Sequence, residues 1–231
     1  MSIEANLSLV SQKIALLTCQ YHRADHSVRL LAVSKTKPLP ALEAAYQAGQ
    51  RLFGENYVQE AVDKRQALAH LTDIEWHFIG PIQSNKSRLI AEHMDWVHTI
   101  DRDKIANRLN EQRPTNMAAL NVCIQVNISG EASKSGVTLD HLADLVELVN
   151  RLPNLCLRGL MAIPAPQENI DAQRVVYAPL HQAFLELAAT DSMIDTLSIG
   201  MSGDLPAAIA SGSTMVRVGT AIFGARDYSV S

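Results

Sequence analysis

Short, unbroken apolar runs alternate along the chain with longer stretches in which apolar residues return every three or four positions. The runs fall at Val28–Ser34, Arg51–Glu55, Glu75–Ile79, Trp96–Ile100, Val122–Ile128, Leu157–Ile163, Thr196–Gly200 and Met215–Phe223. They are continuous rather than strictly alternating, the mark of parallel strands covered on both faces. Between them, LPALEAAYQAGQ, SNKSRLIAEHM, RDKIANRLNEQ and LDHLADLVELVNRL carry helical spacing. In the last, Leu139, Leu142, Leu145, Val146 and Val149 share one face. Asp140 and Asp144 sit in its N-terminal half, where the helix dipole favours them. Eight β-runs, mostly followed by helices, predict a (β/α)8 TIM barrel of the α/β class. Leu7–Cys19 reads as an extra helix before the first strand.

The barrel uses nearly all 231 residues, and no linker or composition break interrupts them, so residues 1–231 are expected to form one domain. An open doubly wound sheet would want a glycine-rich turn after its first strand. Here that turn is SKTKP, without glycine.

Composition narrows the classes. With 47% hydrophobic and 19% charged residues, a sizeable core is expected. The net charge is −4, and basic residues are scattered, so no nucleic-acid surface is read. No apolar run approaches the roughly 20 residues of a membrane span. The start, MSIEANLSLVSQKIALL, lacks a signal peptide's basic region. Cys19, Cys123 and Cys156 show no CxxC spacing, and two of them lie in or beside apolar runs, as buried thiols do. A reduced, cytoplasmic protein is expected.

Function in such a barrel sits at the C-terminal strand ends. Polar residues and glycines collect there: Ser34-Lys35, Gly54-Glu55-Asn56, Gly80-Pro81, Asp101, Asn127 with Ser129, Met161 to Pro164, the GMSGD segment at 200–204, and Arg217, Gly219 and Thr220. A lysine at such a position either snorkels into water or, desolvated, loses its proton and attacks an aldehyde to give a Schiff base. Lys35 stands at the last strand position before the turn. Lys37 precedes Pro38 further into the loop, where water keeps an amine protonated, so position favours Lys35.

GMSGD is either an ordinary turn capped by Ser202 or Asp204, or a cradle whose backbone N–H groups hold phosphate. VRVGTAIFG interrupts the eighth run at Gly219-Thr220. The loops after strands seven and eight often bind phosphate in barrels, and the two segments together favour that reading. Arg217, inside an apolar run, is either paired with Asp101 or Glu55, or is a fixed cation facing a ligand atom. His77 reads as a core histidine sooner than a base, and Lys134–Gly136 as an exposed turn sooner than a phosphate contact. No metal-ligand spacing occurs.

A reactive lysine, a phosphate cradle and an arginine at the ring position suit pyridoxal 5′-phosphate (PLP). The blocks AVSKTKP, FGENYVQE, WHFIGPIQSNK, SKSG, RGLMAIPAP, LSIGMSGD and STMVRVGTAIFGAR resemble the signature segments of the pyridoxal phosphate homeostasis protein family, over about residues 32–226. That resemblance implies a monomeric barrel similar to the alanine racemase N-terminal domain, with PLP on Lys35. It also implies phosphate near Ser202, Gly219 and Thr220, the pyridine nitrogen near Arg217, and the ring near Asn56 and Met161. The implied role is intracellular PLP supply, affecting amino- and keto-acid balance, with transient delivery to PLP-dependent apoenzymes and no established catalysis. The alternatives are a single-domain racemase or other PLP enzyme, and a cofactor-free Schiff-base aldolase. Racemisation needs an acid/base group on each face of the substrate. Tyr57 and Tyr228 are the candidates, and both read as packing. The chain ends soon after its eighth run, so a second domain supplying a tyrosine is not expected.

Overall fold

A computed structural model describes residues 2–130 and 135–225. The chain opens with α1 (Ile3–Gln20), whose N-cap Ser2 accepts a hydrogen bond from the Ala5 N–H and which buries Leu7, Val10, Ile14 and Leu17. There follow β1 (Arg29–Val33), α2 (Leu39–Gln47), β2 (Leu52–Glu55), α3 (Val58–Ala67), β3 (Glu75–Phe78), α4 (Ser87–His93), β4 (Trp96–Ile100) and α5 (Asp103–Gln112). Then come β5 (Leu120–Gln125), α6 (Leu142–Asn150), β6 (Leu155–Met161), α7 (Ile170–Thr190), β7 (Thr196–Ser198), α8 (Leu205–Ala210), β8 (Met215–Val218) and α9 (Thr220–Phe223). The strands form a closed barrel in chain order, and β1 pairs in parallel with both β2 and β8. Closure therefore puts the first strand beside the last.

All eight expected runs overlap a strand: Trp96–Ile100 coincides with β4, and the others differ at one end or both. The eighth differs most. The expected strand Met215–Phe223 stops at Val218, and Thr220–Phe223 is a helical turn. Gly219 passes so close to β1 that a Cβ there would lie 3.0 Å from the Val33 carbonyl oxygen. The apolar residues beyond it bury Ile222 as one face of a turn rather than as a strand. On α6 the expected face holds for Leu142, Leu145 and Val149, while Leu139 lies in a preceding 3₁₀ turn and is exposed.

One strand parity (Ala32, Phe53, Trp76, Phe78, Val97, Val122 and Val216) joins the large core cluster beneath the helices. The other parity fills the barrel and is unusually polar. Leu31, Ile79 and Met215 form one small cluster, and Trp96, Cys123 and Met161 another, with His77, His98, Ser198 and Arg217 buried beside them. The N-terminal end is stoppered by Trp96. Arg29 and Arg158 lie over its ring at 5.6 and 4.9 Å, and its indole N–H donates to Glu75 at 3.0 Å. The open end is thus the C-terminal rim. Among the described residues no helix is long and apolar enough to cross a membrane.

Candidate functional site

Lys35 does not end the strand. β1 stops at Val33, and Lys35 opens a tight turn two residues later, half-buried. The turn closes through Lys37 N–H to Ser34 O at 3.0 Å and forces Thr36 to φ +61, a costly conformation for a β-branched residue. It is held there by a cluster that sequence reasoning missed. Lys64 of α3 is 5% exposed and donates to Ser34 O at 2.7 Å, Glu55 Oε1 at 2.8 Å and Glu60 Oε1 at 2.6 Å. Glu60 Oε1 in turn accepts from Thr36 N–H at 2.6 Å, and Glu55 Oε1 from the Ser34 hydroxyl at 2.6 Å. Burial pushes the Glu55 carboxyl up, while Lys64 and Ser34 pull it back. The one sequence signal was the i,i+4 spacing of Glu60 and Lys64 on α3. Lys37 is not a loose second amine: its Nζ donates to the carbonyls of Gly224 and Ala225, at 3.1 and 2.7 Å.

β1–β8 pairing sets Leu31 opposite Arg217 and Ala32 opposite Val218, so the Lys35 turn stands beside Gly219-Thr220. Arg217 is 3% exposed. Neither expected carboxylate reaches it, because Glu55 is taken by Lys64 and Asp101 pairs with Arg102 at 2.6 Å. Neutral groups hold Arg217 instead. Its Nη1 donates to Ser198 O at 2.6 Å and Ser198 Oγ at 2.8 Å, and its Nη2 to Ala162 O at 2.9 Å. Nε takes part in none of these bonds. Burial lowers its pKa, with Tyr177 and Asp204 acting against that. An arginine stays cationic under such pressure, so a positive charge without a contacting carboxylate lies below the rim.

Two turns flank it. In the 201–204 turn, Met201 N–H donates to Asp204 Oδ1 at 2.6 Å, and the Tyr177 hydroxyl donates to Asp204 Oδ2 at 2.6 Å. Asp204 thus shapes the turn rather than capping α8, and Ser202 and Gly203 are exposed at its tip. A Cβ on Gly203 would meet nothing within 4 Å, so a ligand can approach that backbone. The second turn, Gly219-Thr220, starts α9, whose first N–H groups have no intrahelical acceptor. Asn56 lines a rim cavity of about 240 Å³ with Thr99, Gln125 and Ile163. Its Oδ1 is buried and has no hydrogen-bond partner among the described residues. Gly80 backs it closely, a Cβ there falling 2.2 Å from Asn56 O. Met161 lies deeper, fully buried against Trp96 and Cys123. A depression of about 570 Å³ between α1 and the start of β1 contains none of these groups. Tyr57 is exposed on the rim at the start of α3. Lys134 and Tyr228 lie outside the described residues.

An amine, two exposed backbone turns, a buried cation and an unsatisfied amide oxygen therefore converge on one rim. Such a set can take a phosphorylated, aldehyde-bearing heteroaromatic molecule.

The family model described as alanine racemase, N-terminal domain, matches residues 16–227. A Vibrio alginolyticus protein called pyridoxal phosphate homeostasis protein is 60% identical over 231 residues, covering 99% of each chain. The protein of the same name from Escherichia coli (strain K12) is 58% identical over 229 residues, covering 98% of each. PipY of Synechococcus elongatus PCC7942, solved with PLP bound, superposes with a TM-score of 0.83 at 34% identity, covering 96% of this chain and 100% of that one. Alanine racemase from Clostridium difficile 630 matches at 15% identity with a TM-score of 0.70, over 97% of this chain and 58% of that one, a likeness of fold alone.

Proposed function

The chain belongs to the pyridoxal phosphate homeostasis protein family, built on the alanine racemase N-terminal barrel, and on that footing we propose that it binds PLP reversibly and serves intracellular PLP homeostasis. The residues fit that group on their own terms. The buried Oδ1 of Asn56, partnerless among the described residues, is acceptor capacity that the fold there does not use, and the Arg217 bonds to Ser198 and Ala162 run through Nη1 and Nη2, not Nε. Bound there, PLP supplies an aldehyde that condenses reversibly with a lysine amine.

Lys35 is the amine, presented by a turn that Glu60 and Lys64 hold in place. Ser202 and the backbone of Gly219 and Thr220 hold the phosphate. Arg217 faces the ring nitrogen, and Asn56 lies against the ring, with Met161 forming the floor beneath. Because an arginine keeps its proton, Arg217 donates a hydrogen bond without handing that proton to the ring. The ring is then a poor electron sink, which favours carriage over turnover of amino acids. The observation that carries the reading is the adjacency made by barrel closure: the Lys35 turn beside Gly219-Thr220, with the buried Arg217 below both.

The protein is further read as a cytoplasmic monomer that passes PLP transiently to apoenzymes. Its cysteines are unpaired, which suits a reducing compartment, and sedimentation would test the monomer. The central test is the visible spectrum of the purified protein with and without Lys35→Ala. The wild type should be yellow, and borohydride should fix the cofactor to Lys35. An unchanged band with covalent fixation in Lys35→Ala would overturn the assignment. Sustained α-proton exchange of added amino acids by the loaded protein would overturn carriage.

A further inference from the structure

The centre of a (β/α)8 barrel is usually filled with branched aliphatic side chains. Here a line of polar side chains runs through it, from Arg217 to the opposite end. Arg217 Nη1 donates to Ser198 Oγ at 2.8 Å. Ser198 Oγ lies 2.9 Å from His98 Nδ1, and His98 Nε2 lies 2.9 Å from His77 Nδ1. Ser198, His98 and His77 have no exposed surface. His77 Nε2 is buried without a hydrogen-bond partner among the described residues, and Glu75 Oε2 stands 3.7 Å away, beyond bonding distance. Glu75 is half-exposed at the stoppered end, where it accepts from Arg29 at 3.1 Å and Trp96 at 3.0 Å.

The chemistry of the ends fixes the direction of the protons between them. Arginine only donates, so Ser198 accepts from it and its own hydroxyl proton is free to point at His98 Nδ1. His98 then carries its proton on Nε2 and donates to His77 Nδ1. His77 in turn carries its proton on Nε2, aimed at the Glu75 carboxylate. The opposite polarity would set a bare His77 nitrogen against that carboxylate. It would also leave the Ser198 proton without an acceptor among the described residues, since there its oxygen bonds with Arg217 and His98 alone. Burial lowers both rings, helped by Arg217 and Arg29 at His98 and by His98 and Arg29 at His77, and so keeps them neutral, as the relay needs.

We propose that Ser198, His98, His77 and Glu75 are positioning residues, a one-directional hydrogen-bond relay across the barrel that locks the Arg217 guanidinium from below. The relay is oriented by a cation at one end and a carboxylate at the other. The inference rests on the reading that Arg217 faces the PLP ring nitrogen. Its role is to set the orientation of that donor, not to touch the cofactor.

The test has one arm that needs no cofactor. Two-bond proton–nitrogen correlation spectra of the apoprotein should show both His77 and His98 as Nε2–H tautomers. Ser198→Ala should release that preference at His98, and Ser198→Thr, which keeps the hydroxyl, should restore it. In the second arm, Ser198→Ala should bind PLP about tenfold more weakly, the effect of losing one hydrogen bond to a charged group, with a shifted absorption maximum. Ser198→Thr should return both toward wild type. Should Ser198→Ala not fold, Glu75→Gln, altered at the half-exposed end, should mix the His77 tautomers and shift the bound-PLP maximum. Nδ1–H or cationic rings in the wild type would overturn the relay. So would PLP affinity and spectrum unchanged in Ser198→Ala, or, where that variant does not fold, in Glu75→Gln. Wild-type protein that fails to bind PLP would defeat the functional reading instead, while the tautomers still decide the relay.

Discussion

Acidifying the protein tests the buried histidines directly. His77 and His98 are fully buried. Desolvation, then the Arg217 and Arg29 charges, bring His98 down to about 3. Desolvation, then His98 and Arg29, drive His77 well below its ordinary value. In the unfolded chain both rings titrate near 6.5. A base whose folded pKa is depressed takes up its proton only on unfolding. Its stabilising contribution is therefore complete above about pH 6.5 and falls as the pH drops from there toward the folded value. For His98 the slope is about 1.4 kcal/mol per pH unit in that window, or about 2 kcal/mol by pH 5. His77, lowered in the same direction, adds to that loss. Glu55 and Asp101, both raised first by burial, act in the opposite direction, gaining as pH falls. A comparison with His98→Gln cancels them. Urea unfolding followed by circular dichroism, from about pH 7.5 to about pH 5, should show the wild type losing about 2 kcal/mol more than the variant. Parallel curves would refute a neutral, buried His98.

Lys64→Met strands the fully buried Glu55 carboxylate and should cost about 3–5 kcal/mol in urea unfolding. Because burial raises Glu55, that loss should shrink at acid pH, where the carboxyl protonates, and grow as pH rises. Gly80→Ala would put a Cβ 2.2 Å from Asn56 O and should weaken PLP binding about tenfold by displacing Asn56, read from the visible titration. Lys37→Ala frees the carbonyls of Gly224 and Ala225 and should speed PLP release a few-fold, while borohydride still fixes PLP to Lys35 by peptide mapping. Native thiol labelling followed by mass spectrometry should modify the exposed Cys19 first. The half-buried Cys156 should follow, and Cys123, buried and pushed up to about 12, should react only on unfolding.

The barrel was legible because its strands are buried on both faces, which leaves apolar runs that no helix periodicity explains. The rim was legible because glycine and polar residues punctuate the strand ends locally, as in GMSGD and SKTKP. Partners across the barrel were not. Of the two readings of Arg217, an ion pair with Asp101 or Glu55 or a cation facing a ligand atom, the ion pair does not form; its acceptors are Ser198 and Ala162, on strand β7 and just past β6. Which neutral groups reach it depends on register, and register is set by closure rather than by neighbours in sequence. Lys64 was missed for a related reason: a lysine on a polar helix face looks solvated until the turn packed against it is known. The relay did leave one trace. His77 and His98 each interrupt an apolar run on the strand face that points inward, a position aliphatic side chains ordinarily take.

The way exposure is graded over the site bears on carriage. Arg217 and Met161 are buried and Asn56 is half-buried, whereas Ser202, Gly203 and Thr220 are exposed. The residues read as holding the ring are therefore fixed in the barrel, and those read as holding the phosphate stand in water. Hydrogen bonds made at exposed backbone turns compete with solvent and contribute less than buried ones. The grip at the phosphate end is the weaker of the two, and it is the end another protein can reach without the barrel opening. On the proposed reading the buried end provides selectivity, because Asn56 Oδ1, unsatisfied among the described residues, disfavours any occupant that cannot pair with it. On the same reading, attachment through Lys35 controls residence time. Its turn is tied to α3 through Glu60 and Lys64, and its exit loop to the end of α9 through Lys37. A carrier needs this division: a discriminating, rigid ring site, an accessible anionic end, and a bond that water or an incoming amine can reverse.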